Sequence, residues 1–205
     1  THPMATWLRA AALTLTLAVV AACTPSTVTS PSPSVSSAQP TYLCSGAPGT
    51  SPAPCDKAKY DEQQKAKALE DEAKGVYERY WKEYTRLLEA GGASEATPEL
   101  KATVAEPMLA NVVSLLKYQK DKGWKPNPFS AKLKVAISST PVRPDAEVSV
   151  VACEDTTGSV LYDPSGARAG QGSLAVQSSA LKRIDGQLKI YDGDGQPKGT
   201  QCPVG

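Results

Sequence analysis

Hydrophobic spacing changes once along this 205-residue chain, at Pro126 and Pro128. Before that point apolar residues recur at intervals of three and four, as on one face of a helix. After it they recur at every second position, as in a half-buried strand. Helices first and strands afterwards, with hairpin turns between the strands, predict an α+β fold. The N-terminal helices, one of them long, would pack on a curved antiparallel sheet of about four to five strands.

The helical half divides at its breakers. Residues 56–90 read as one long helix, with Leu69, Ala73, Val76, Tyr77, Tyr80, Tyr84, Leu87 and Leu88 on its apolar face. The charged positions between them read as a solvated face. The first two turns carry few large apolar residues and are expected to project from the body. Gly91-Gly92 supplies the stop. Thr97-Pro98 is a helix start, with Thr97 as cap and Pro98 at the first position. Pro107 forces a break, so a new helix is expected from Glu106, ending near Lys122 and Gly123.

In the second half, residues 131–137 alternate as a strand with one wet face. Val148, Val150 and Ala152 line one face of the next strand, and Val151 and Cys153 the other. Residues 158–162 and 173–184 read as the third and fourth strands. Asp163-Pro164-Ser165-Gly166 is the turn between them. Asp185-Gly186 is a two-residue hairpin signal leading to a last strand with Leu188 and Ile190.

The N-terminal segment has a different character. Thr1-His2-Pro3 reads as lying upstream of a start at Met4. Arg9 is a lone positive charge before the apolar run 10–22, which is too short to span a bilayer but suits an export signal. It ends in Leu17-Ala18-Val19-Val20-Ala21-Ala22-Cys23, small residues followed by a cysteine. This run resembles the lipobox of bacterial lipoproteins, and the resemblance implies cleavage before Cys23 and diacylglycerol on its sulfur. The alternative is an ordinary secretory signal. Of the eighteen residues 24–41, fourteen are Ser, Thr or Pro. That composition predicts a tether, either a plain spacer or an O-glycosylated stalk. The expected organisation is a signal peptide over 1–22, an anchor and tether with a small loop over 23–55, and one domain over 56–205.

Four further cysteines, Cys44, Cys55, Cys153 and Cys202, suggest two disulfides in an exported chain. Three pairings are possible. Cys44–Cys55 and Cys153–Cys202 are expected, because the first closes a turn-rich loop and the second ties the tail to a strand. The spacings match no metal motif, so no metal ligand set is expected.

The order of elements is similar to the nuclear transport factor 2-like fold over about residues 66–203. Val150-Val151-Ala152-Cys153-Glu154-Asp155 and the final hairpin Asp185-Gly186 to Ile190 carry the resemblance, which small exported lipoproteins of actinobacteria and their phages often share. Leu188 stands where that family typically has tryptophan. The resemblance implies a cone whose mouth holds a small ligand. Ketosteroid isomerases of that fold place a carboxylate base and a tyrosine donor there. Here the resemblance offers Tyr80, Tyr84 or Tyr118 with Glu154 or Asp155. Core packing of the tyrosines and a solvated turn for both carboxylates is the plainer expectation.

Composition narrows the chemistry. The one histidine is His2, so a chain matured at Cys23 has none, which excludes Ser-His-Asp and Cys-His arrangements. Formal net charge is +1, and Lys132 and Lys134 on one strand face make too small a patch for nucleic acid. Asp192-Gly193-Asp194-Gly195 lacks the ligands of a calcium loop and reads as a turn. No cofactor is expected. The sequence therefore points to a lipoprotein on the outer face of the membrane, anchored in lipid through Cys23. Its domain would be non-enzymatic and bind an envelope protein or a small apolar ligand. The alternatives are a carrier or isomerase using the cone, and a surface exclusion or immunity lipoprotein.

Overall fold

A computed structural model describes residues 41–47 and 49–197, together with Cys202 and Val204. Cys23 and the segments expected to be a leader and a tether lie, up to residue 40, outside the described residues.

The fold is α+β. A short hairpin comes first, β1 (Tyr42–Cys44) with β2 (Ala53–Cys55). Then come α1 (Lys57–Glu89), α2 (Pro98–Thr103) and α3 (Met108–Lys122). Seven strands follow: β3 (Lys125–Pro126), β4 (Lys132–Ile137), β5 (Val148–Asp155), β6 (Val160–Tyr162), β7 (Arg168–Gln171), β8 (Leu174–Ile184) and β9 (Gln187–Pro197).

Local chemistry sets the helix ends. The Asp56 carboxylate accepts from the Lys59 amide at 2.8 Å, satisfying an amide left free at the start of α1. At the other end, Gly92 donates to Leu87 O and Gly91 to Leu88 O. Both glycines have φ above +90°. A side chain at Gly92 would strike the backbone of Leu116 and Lys120, so α3 crosses closely against the end of α1. Thr97 caps α2 through the Leu100 amide, as its sequence predicts. The next helix begins at Met108, two residues after the expected start, because Pro107 itself occupies the cap. Glu106 then accepts from the Ala110 amide.

The first turns of α1 do not project alone. Tyr42 packs on Tyr60 with ring centroids 5.2 Å apart, and Gln63 exchanges two hydrogen bonds with the backbone of Ser45. The β1–β2 hairpin is thus laid along the helix, closed by the Cys44–Cys55 disulfide.

The main sheet is antiparallel, in the order β4-β5-β8-β9. Its strands are open-edged and do not close into a barrel. The expected single meander is corrected in one place. The 158–162 segment does not add a strand beside β5. It pairs as β6 with β3 and β7 in a separate three-stranded sheet. β7 was not foreseen, since Arg168-Ala169-Gly170-Gln171 has no apolar alternation to mark it. β5 instead takes β8 as its partner over eight residue pairs, from Val148↔Leu181 to Asp155↔Leu174. Asp185 and Gly186 both have positive φ, which gives β8–β9 the twist-matched hairpin their sequence signals.

The core lies between α1, α2, α3 and one face of the sheet. Tyr77, Leu100, Leu116, Val150, Leu181 and Ile190 are each within 1% of complete burial. Alternation sorts β5 as expected: Val150 and Ala152 enter this core, and Cys153 joins Val176 and Val204 on the opposite face. The Cys153–Cys202 disulfide holds the tail over that second cluster, with Cα atoms 5.8 Å apart. Asp192 and Asp194 are also corrected. They are not in a turn but within β9, where both carboxylates engage the Arg143 guanidinium.

Candidate functional site

Alternation along β5 carries Val148, Val150, Ala152 and Glu154 to the helix-facing side of the sheet. Pairing with β8 sets Ser179 and Gln177 beside Val150 and Ala152 on that same side. One end of this face is therefore apolar and the other polar. Gly193 and Gly195 stand opposite Ser179 and Gln177 on β9. A side chain at Gly193 would press on Ser178 O and Ser179 Oγ, so glycine leaves the polar groups room.

Across from this polar end lies the tyrosine face of α1. Tyr77 donates to Oε1 of Glu154 at 2.7 Å, and both residues are buried. The Tyr80 ring meets Tyr77 edge-on, with centroids 5.5 Å apart, and stacks on Tyr84 at 5.7 Å. Spacing at three and four makes this ladder. Aromatic pairs of this geometry stabilise beyond their area alone.

The electrostatics follow from burial. Glu154 has its pKa raised from 4.5 to about 7, because burial disfavours the carboxylate, and hydrogen bonds from Tyr77 and Gln177 pull it partly back. Tyr84 is pushed up to about 12, first by burial and then by the charge of Glu154. Tyr77 and Tyr80 are raised well above the ordinary tyrosine value, again by burial first. The tyrosines are therefore neutral donors across the ordinary pH range, beside a carboxyl group that titrates near neutrality.

The expected residues separate. Tyr80 and Tyr84 belong to this cluster. Tyr118 does not: it is 54% exposed on the outside of α3, against Trp124. Asp155 turns away from the core and binds the amide and hydroxyl of Thr157, which hold its pKa below the usual carboxylate value. Glu154, expected to be solvated like its neighbour, is the inward group. Tyr77, Gln177 and Ser179 were not singled out. For Tyr77 the signal was present, since it lies three residues before Tyr80 on one helix face. For Gln177 and Ser179 it was not, because register with β5 decides where they point.

The space between the helices and the main sheet is filled by side chains. Tyr77, Tyr80, Tyr84 and Glu154 are absent from the walls of five surface clefts formed by the described residues. One of about 250 Å³ lies between α1 and the β4–β5 loop, walled in part by Leu69, Ile137 and Val148.

No family model matches this chain, and no curated protein matches it. Among solved structures it is similar to the intermembrane space region of the chloroplast protein ARC6. The identity is 15% and the TM-score 0.44, over 62% of this chain and 95% of that one.

Proposed function

We propose that this chain is a cell-envelope lipoprotein, held through Cys23 on the outer face of the membrane, whose folded part binds a protein partner and performs no chemistry. The observation that carries the binding role is the filled interior. The helix-facing side of the sheet is occupied by Tyr77, Leu100, Leu116, Leu181 and Ile190, which leaves a small molecule no space at the centre. Two disulfides support an oxidising location. Among the described residues no helix is long and apolar enough to cross a membrane. Fractionation of Cys23→Ala against the parent tests this. The variant is expected to stay unprocessed or to be released, and equal membrane recovery with equal mature mass contradicts the proposal.

One observation favours a second reading. Glu154, with a pKa of about 7 beside neutral tyrosine donors, has the properties of a general base. In that reading the domain is a small-molecule carrier or isomerase that opens at the polar end of the sheet. Glu154→Gln and Tyr80→Phe would then abolish turnover, and unchanged ligand binding and turnover would remove the reading.

A further inference from the structure

We infer that the face formed by the C-terminal half of α3 and Trp124 docks on an anionic bilayer surface, an inference that rests on the lipid-anchored reading. Among the described residues, three large hydrophobic side chains are exposed: Leu43, Leu115 and Tyr118. Two of them lie one turn apart on α3. Tyr118 also meets Trp124 edge-on, with centroids 5.6 Å apart, so the three form one apolar and aromatic face. The Lys122 ammonium sits 5.6 Å above the Tyr118 ring.

Lys122 lies one turn beyond Tyr118 on this face, and lysine is dense along the adjoining chain. Lys117, Lys120, Lys122 and Lys125 fall within nine residues of chain, against the single acid Asp121. Asp121 is taken by Lys117 at 2.7 Å. Lys120, Lys122 and Lys125 make no ion pair among the described residues. Excess lysine in a chain of formal net charge +1 is a local feature, not a consequence of composition. A tryptophan and a tyrosine in contact, a leucine one turn away and a lysine over the tyrosine ring match the headgroup region of a membrane. Anionic lipid supplies the complementary charge.

Chain length makes the contact accessible. Eighteen residues separate Cys23 from Tyr42. Even fully extended they reach no farther than about 60 Å, so an anchored domain stays at high effective concentration beside the lipid. Weak surface attraction then suffices to orient it.

The test uses the exported full chain recovered from membranes and reconstituted into vesicles of phosphatidylcholine with and without phosphatidylglycerol. Brominated acyl chains quench tryptophan at the bilayer boundary, and Trp124→Phe identifies the share that Trp124 contributes. Quenching of Trp124 on the anionic vesicles is expected. It should fall roughly tenfold in Leu115→Ser with Tyr118→Ser, and persist in Leu43→Ser. Equal quenching without phosphatidylglycerol, no quenching of Trp124, or no effect of the double substitution overturns the inference. Recovery without a lipid counts against the anchor alone. The same quenching is then read on chain added to preformed vesicles.

Discussion

The Tyr77 hydroxyl donates to Glu154 at 2.7 Å across the interface between the long helix and a central strand. It joins the longest helix to a central strand of the main sheet where the buried face turns polar. A buried carboxyl group needs such a partner, because leaving it unsatisfied costs more than an ordinary hydrogen bond contributes.

Stability should fall as pH rises through neutrality. The folded-state pKa of Glu154, about 7, lies above the ordinary 4.5. The stabilisation is complete below 4.5, where the group is protonated in both states. It is lost as pH climbs toward and past 7, where only the folded state has resisted ionisation. The full span is on the order of 3 kcal/mol. Urea unfolding at pH 5 and pH 8 measures it. Glu154→Gln, which removes the titration, should flatten the difference and leave the pH 8 protein more stable than the parent.

Tyr77→Phe should act in two ways. Loss of the donated bond should destabilise the fold by about 1–3 kcal/mol. Because that bond lowers the Glu154 pKa, its removal should move the carboxyl titration higher. Following the Glu154 side-chain carboxyl by NMR through a pH series would show the displacement, and an unchanged midpoint would mean the bond is absent in solution.

Much of this architecture could be read in residue order. Gly91-Gly92, Thr97-Pro98 and Asp185-Gly186 name their own turns and caps, because each demands a particular backbone conformation. Alternation on β5 separates Val150 from Cys153 without help from the rest of the chain. What was not legible depends on pairing across distance. Val160-Leu161-Tyr162 has the appearance of a core strand, yet it pairs with Lys125-Pro126 because β8 already occupies the edge of β5. Glu154 and Asp155 look alike in sequence, and one residue of strand parity sends them to opposite environments. Tyr118 shares the residue type of Tyr80 but lies on the outer face of another helix.

The two disulfides should differ in weight. Cys153–Cys202 closes 49 residues and Cys44–Cys55 closes 11. In the chain-entropy account the longer loop contributes about 4 kcal/mol and the shorter about 3 kcal/mol. Replacing Cys153 and Cys202 by serine should cost more still, since Val204 then loses its hold over Val176. Denaturant midpoints of the two paired variants measure the order. A Cys44 to Cys153 link in non-reducing peptide mapping would contradict the pairing.

Gly92→Ala should destabilise by more than about 1 kcal/mol, since φ is +94° and the new methyl group would overlap the Leu116 and Lys120 backbone. Gly166→Ala, also at positive φ but facing open space, should cost less. Thermal midpoints of the two variants, compared directly, separate packing from backbone strain.

The mass of the mature N-terminal peptide tests the anchoring claim most directly. The account predicts a peptide beginning at Cys23 and carrying a diacylglyceryl group on its sulfur. An unmodified peptide, or a start at any other residue, would contradict it.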